Sequence, residues 1–229
     1  MPESPPIRPA ATVVVLAGAP GDLPRLVMVR RSARSRFMPS TYVFPGGRVE
    51  PEDGKGDAAF LHAAIRECQE EVGLSLERDA LVWFDTWITP SAERRRYHAR
   101  FFAAFVDTSA VTGLAADGLE TFDLRCETAE AMLASWRASR ADLPPPTLAT
   151  LLRLAGRTTA EIRRWMEDVD PGQPILPKWI QRDGLHHVFL PHAPGYTDLE
   201  GDGARAPARV ASLPIGFVRK EDRWHPIDG

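Results

Sequence analysis

Phe44-Pro45-Gly46-Gly47, followed after a loop by Arg66-Glu67-Cys68-Gln69-Glu70-Glu71-Val72-Gly73-Leu74, is the stretch that decides the fold. On a helix, residues i, i+3 and i+4 share one face, so Glu67, Glu70 and Glu71 stand together within less than a third of the circumference. Like charges this close destabilise an isolated helix, and hard divalent cations would neutralise them. Oxygen ligands with no thiolate point to Mg2+ or Mn2+. A solvated, charge-rich helix end is the alternative reading, and it is the usual setting of a Glu-Glu pair. Leu61, Ala64, Ile65, Cys68 and Val72 recur at helical spacing on what reads as the opposite, buried face, with Asp57 as the expected cap. Gly73 supplies the left-handed residue that ends the helix just after the acidic cluster.

Outward from this helix, strands alternate with further helices. Ala11 to Gly18 and Leu26 to Arg30 read as strands joined by the turn Ala19-Pro-Gly-Asp, and Tyr42 to Phe44 as a short third strand. Leu81 to Ile88 and Tyr97 to Val106 read as paired strands, and Leu119 to Cys126 as another. Helices are expected over Thr128 to Ser139, Thr147 to Ala155 and Thr159 to Val169. The order implies an α/β/α sandwich around a mixed sheet. The expected division is a domain over residues 1–155 with a helical and loop-rich extension, 156–229, packed on it. Pro and Gly in that extension favour loops and short strands. His186 and His187 would point to opposite faces of a strand, which disfavours a second metal site.

The stretch from Arg66 to Leu74 resembles the second half of the Nudix hydrolase signature, with Cys68 in an aliphatic place. Gly47 precedes Arg66 by five residues more than the signature has, and the surplus lies in Glu50-Pro51-Glu52-Asp53-Gly54-Lys55-Gly56. Asp53 falls in the counted place of the first signature glutamate, with Glu50 and Glu52 as rivals. The resemblance implies metal ligands at the Gly47 carbonyl and at Glu67, Glu70 and Glu71, and an Arg66 that orients these carboxylates through charge-assisted hydrogen bonds. It also implies a carboxylate that takes the proton of an attacking water. Glu70, Glu71 and a downstream residue, Glu120, are the candidates.

The flanks are similar to the Nudix subgroup that includes the peroxisomal coenzyme A diphosphatase. Matching stretches are Arg30-Arg31-Ser32, Arg36-Phe37-Met38, Trp87-Ile88-Thr89-Pro90, Arg95 to Phe102 and Pro144-Pro145-Pro146-Thr147. Ser32 and Arg36 fit the coenzyme A motif of that subgroup, whereas Arg31 and Ser40 replace two other members of it. Pro90, sixteen residues beyond Leu74, matches instead the Nudix enzymes that cleave ADP-ribose. The resemblance therefore implies hydrolysis of a nucleoside diphosphate linked to another moiety. A coenzyme A-like substrate is favoured, with Arg36, Arg95 and Arg96 as phosphate-binding cations. ADP-ribose or a nucleotide sugar is the alternative, and a Nudix-fold sensor that binds without cleaving is the contrasting class.

Composition limits the remaining options. A formal net charge of −3 over 229 residues disfavours nucleic acid as a partner. Two cysteines give neither a disulfide framework nor zinc spacing and suit a reducing, cytoplasmic setting. No apolar run approaches the length of a membrane span. The extension is expected to cover either the substrate pocket or a subunit interface, so a homodimer is compatible with it.

Overall fold

The computed structural model describes residues 5–35 and 38–229. Arg36 lies outside the described residues. The central sheet is built from β1 (Ile7–Ala17), β2 (Arg25–Arg31), β3 (Tyr42–Val43), β4 (Gly46–Arg48), β5 (Leu81–Ile88), β6 (Arg96–Val106) and β7 (Thr121–Thr128). Its main path runs β3-β2-β1-β6-β5, with β4 paired to β1 and β7 to β2. β1 and β6 are parallel from Ile7 opposite Arg96 to Ala17 opposite Val106, and the other pairings are antiparallel, so the sheet is mixed.

β1 is apolar on both faces because both are covered. Val13 and Val15 pack with Phe60, Ala63, Ala64 and Cys68 of α1 (Asp57–Val72). Val14 and Leu16 face the opposite way, toward α2 (Ala129–Arg137), α3 (Pro145–Leu154) and α4 (Thr159–Asp168), where Met132, Leu148, Leu151 and Ile162 are buried. The result is the expected α/β/α sandwich. Burying each Val, Leu or Phe side chain stabilises by roughly 1.5–3 kcal/mol before conformational entropy is counted.

Helix ends follow local chemistry. Gly73, at φ 76°, ends α1 with its N–H on the Gln69 carbonyl at 3.0 Å. Asp57 is not the cap: Gly56 holds that place, and Asp57 begins the helix with its carboxylate 2.7 Å from Arg100. Thr128 caps α2 by accepting from the Ala131 N–H, and Thr158 and Glu161 form a full capping box on α4.

The extension is more regular than its composition predicts. β8 (Lys178–Arg182), β9 (Leu185–Phe189), β10 (Gly216–Lys220) and β11 (Arg223–Ile227) form a second, antiparallel sheet in the order β11-β10-β9-β8. Asp183-Gly184 and Glu221-Asp222 are two-residue turns with φ positive at both positions, the hairpin geometry that matches strand twist. His186 pairs with Gln181 and His187 with Ile180, so the two histidines do sit on opposite faces. Val188, Leu190, Phe217 and Trp224 belong to the same buried cluster as Val14 and Leu16. Among the described residues no helix is long and apolar enough to cross a membrane.

One buried charge fastens the two sheets together. Asp85, on β5 with no solvent exposure, is paired with Arg153 of α3 and, at 2.8 Å, with Arg209 from between β9 and β10. Burial alone would raise the Asp85 carboxyl, but the two guanidinium groups outweigh it and hold the carboxyl below its ordinary range. Arg209 also donates to the Asp170 and Gln173 carbonyls at 2.8 and 2.5 Å. That clamps a segment whose Ile175 bonds both Thr86 and Ile88 of edge strand β5. Asp85→Asn should cost roughly 3–5 kcal/mol, because it strands two buried cations. The midpoint of urea denaturation at constant slope measures this, and a loss under about 1 kcal/mol would mean that the network is not what holds the extension.

Candidate active site

The site begins where β4 joins β1, with Gly46 opposite Thr12 and Gly47 opposite Ala11. Close approach to backbone requires glycine at Gly46, and Gly47 lies directly against a helix side chain. A Cβ on Gly46 would overlap the Ala11 carbonyl, and one on Gly47 would overlap the Glu67 carboxylate. The Gly46 N–H donates to Glu71 Oε2 at 2.9 Å. The turn and the helix carboxylates are thus pressed against each other.

Arg66 gathers the rest. Its guanidinium donates to Asp53 Oδ1 and Oδ2 at 3.1 and 2.9 Å, to Glu67 Oε1 and Glu70 Oε2 at 2.9 Å each, and to the Arg48 carbonyl at 3.0 Å. Asp53 is buried and also accepts from the Glu50 N–H at 2.8 Å. Burial tends to raise its carboxyl, yet the hydrogen bonds from Arg66 and from the Glu50 backbone hold it below the ordinary range. Asp53, and neither Glu50 nor Glu52, is therefore the loop acid that reaches Arg66. The extra loop residues fold into a short turn of helix over Pro51–Asp53 that delivers it there.

The acidic face is less exposed than helical spacing suggests. Glu71 is buried on the same side as Phe60, Ala63 and Ala64, while Glu70 is open to solvent. Burial is the main force that pushes the Glu71 carboxyl from its ordinary 4.5 up to about 8; the Gly46 N–H and the charge of Arg31 oppose it, and Glu67 and Glu120 add to it. Glu67 is raised too, first by burial and then by Glu70 and Glu120, against the pull of Arg66. Cys68 lies in the core, where burial pushes its thiol up to about 12.

Glu120, far along the chain, acts on both carboxylates because a turn brings it back to α1. Asp117 accepts from the backbone N–H groups of Leu119, Glu120 and Thr121, and donates its own N–H to the Glu71 carbonyl at 3.1 Å. This turn delays the following strand to Thr121, later than the alternation of residues implies.

Glu67, Glu70, Glu71 and Glu120 line one end of a cleft of about 810 Å³, together with Arg31, Arg48 and Arg66. Arg95 and Arg96 do not reach it. Arg96 is buried against Thr89 and pairs with Asp202 at 3.0 Å, tying β6 to the extension, and Arg95 is exposed in the preceding loop. The alternation of strand β6 sends Arg96 away from the cleft and Tyr97 toward it. Pro90 lines the cleft as well.

As they stand, no three acidic, histidine or cysteine side chains among the described residues converge closely enough to hold a metal ion, with Glu67 and Glu70 drawn to Arg66. The donor chemistry nonetheless fits a hard divalent cation. Gly47 offers a carbonyl oxygen and Glu67, Glu70 and Glu71 offer carboxylates, and burial together with the neighbouring glutamates raises the Glu67 and Glu71 carboxyls.

A family model described as the NUDIX domain matches residues 6–145, and the chain belongs to the Nudix family. It is a pyrophosphohydrolase of that family. It is 26% identical over 226 residues to "Putative nudix hydrolase 7" of Caenorhabditis elegans, spanning 82% of this chain and 74% of that protein. A shorter match, 41% over 70 residues, is to the acyl-coenzyme A diphosphatase NUDT19 of Gallus gallus and covers 27% of this chain and 18% of that one. In fold the chain is similar to a crystal structure of a Nudix hydrolase from Alicyclobacillus acidocaldarius, with TM-score 0.62 at 21% identity over 74% of this chain and 100% of that one.

The raised Glu71 carboxyl makes stability depend on pH in a defined direction. In the metal-free protein its contribution is complete below about 4.5, the ordinary value, and is lost as pH rises through about 8. Denaturation midpoints between pH 5 and 8.5 should fall more steeply for wild type than for Glu71→Gln, which cannot ionise. Parallel curves would remove Glu71 as the strained group.

Proposed function

We propose that this protein is a divalent-metal-dependent hydrolase that cleaves the pyrophosphate bond of a nucleoside diphosphate joined to a second moiety, with coenzyme A-like molecules as favoured substrates. One observation carries the reading: a single cleft joins the glutamate cluster to a wall of Trp, Pro and Val side chains. The cluster suits the diphosphate. The wall suits an arm less polar than a sugar.

A diphosphate requires charge neutralisation and an oriented water more than a protein nucleophile. The bound cation, Mg2+ or Mn2+, would supply charge on the phosphate oxygens and ease ionisation of that water. Gly47, Glu67, Glu70 and Glu71 would hold it. Arg66, fixed by Asp53, orients Glu67 and Glu70. Arg31 and Arg48 line the same end and suit the second phosphate. Glu120 is the carboxylate proposed to take the proton of the water, since it lines the cleft while remaining outside the Arg66 network. Water adds to one phosphorus as the bridging P–O bond breaks, and the products are a nucleoside monophosphate and the phosphorylated arm. Two free cysteines suit a reducing, cytoplasmic setting.

Support for a coenzyme A-like substrate comes from the apolar wall and from the partial similarity to the acyl-coenzyme A diphosphatase. Of the three arginines expected to hold a 3′-phosphate, Arg95 and Arg96 lie away from the cleft and Arg36 is outside the described residues. Pro90 in the cleft keeps ADP-ribose or a nucleotide sugar as the second reading. The intact set of glutamates favours cleavage over sensing.

A panel of coenzyme A, its 3′-dephosphorylated form and ADP-ribose, with Mg2+ or Mn2+ and products identified by mass, separates these readings. Glu70→Gln and Glu71→Gln should each lower kcat about 100-fold or more with folding unchanged by circular dichroism, whereas Cys68→Ala should chiefly reduce stability. Near-normal rates in both glutamine variants at saturating metal would remove the metal-site assignment.

A further inference from the structure

The cleft is lined by a charged set and by an apolar set of side chains, and the extension contributes to the second. Four of its lining residues come from that segment: Pro177, Trp179 on β8, Val188 on β9 and Trp224 on β11. None carries a charge or a carboxamide. Pro144, Pro145 and Pro146, at the start of α3, line the same cleft. Trp179 and Val188 are cross-strand partners, so both project from the same face of the second sheet. Val188 and Trp224 are buried, while Trp179 is only half-buried and is stacked on His186 with ring centroids 5.0 Å apart.

The placement of this wall is fixed from beneath. Trp87, at the floor of the cleft, donates its indole N–H to Asp85 Oδ2 at 3.1 Å, the carboxylate that also binds Arg153 and Arg209. The ion network that fastens the extension therefore also orients a cleft side chain.

Resting on the hydrolase reading above, we propose that the extension is the substrate-selecting wall of the active site. Trp179, Val188 and Trp224, with the Pro144–Pro146 run, form an apolar subsite for the arm beyond the diphosphate. This subsite selects an alkyl or acyl chain over a polyhydroxylated sugar. Apart from the indole N–H groups of Trp179 and Trp224, these side chains offer no polar partner to a sugar hydroxyl that has lost its water, whereas each methylene gains by leaving water. Trp179 supplies the broad, partly open surface over which the arm lies.

The test uses the full chain and esters of ADP whose terminal phosphate carries an ethyl, hexyl or decyl arm, with Mg2+. Dissociation constants of the methylene-bridged, non-hydrolysable counterparts are measured by calorimetry. In wild type, kcat/KM and affinity should each rise about two- to fourfold per methylene until the wall is covered. The decyl-to-ethyl ratio should fall by about tenfold or more in Trp179→Ala, and Trp179→Leu should restore most of it. A wild-type ratio near one, or the same ratio in wild type and Trp179→Ala, overturns the subsite. Hydrolysis combined with flat affinity across the series sinks the subsite and leaves the hydrolase standing. Affinity that rises with chain length without any hydrolysis sinks the hydrolase reading and leaves the subsite. If Trp179→Ala does not fold, the wild-type series alone decides.

Discussion

A carboxylate with no access to water, Asp85, sits on β5 between guanidinium groups drawn from α3 and from the loop that follows β9. Removing one carboxylate and two cations from water is costly, and only close pairing offsets it. The fold is therefore constrained. α3 must lie against the sheet with Arg153 inward, and the extension must close far enough for Arg209 to arrive. Arg153 also lies 5.2 Å from the Trp165 ring, which brings α4 into the same assembly. Once Arg209 is seated, its remaining donors hold the segment around Asp170 and Gln173, and Ile175 continues β5 at its open edge. An edge strand that would otherwise invite another chain is covered by the protein's own tail.

On the opposite face of the sheet, where α1 packs, the electrostatic situation is reversed. The Asp85 charge is fully paired, but the signature helix collects more carboxylates than Arg66 can satisfy. Arg66 takes Asp53, Glu67 and Glu70, whereas buried Glu71 accepts from the Gly46 N–H and feels the charge of Arg31. A structure selected for stability alone would replace Glu71 with an apolar residue that matches Phe60 and Ala64. Its presence is the kind of local inconsistency that marks a functional site. The raised carboxyl is that inconsistency expressed as a proton affinity.

The signature helix and the extension meet in one cleft, and the chain order explains how. The acidic end is assembled from β4, α1 and the Asp117 turn, all within the segment that matches the NUDIX domain. The apolar end draws on β8, β9 and β11, beyond that segment. The glutamates of the cleft thus lie within the family-matched segment, whereas its apolar lining draws both on that segment, through Pro144 and Pro145, and on the extension.

The sequence by itself determined the signature helix, its glycine stop and the crowded glutamates, because each follows from interactions between residues close in the chain, and the order of strands and helices made the sandwich class legible. Gly73 ends α1 whatever surrounds it. The alternation of β1 and the flanking helices requires covered faces on both sides. Asp183-Gly184 was a legible hairpin signal in the extension, hidden by an apparent excess of loop-forming residues. Only the tertiary structure decided the rest, since it depends on groups that meet from distant positions. Asp53 reaches Arg66 through a loop whose extra residues break the signature count. Glu120 reaches α1 because Asp117 folds a turn beneath it. Arg96 faces Asp202 rather than substrate because strand phase, and not local charge density, sets its direction. Asp85 carries no sign in sequence of the two arginines, 68 and 124 residues away, that make its burial tolerable.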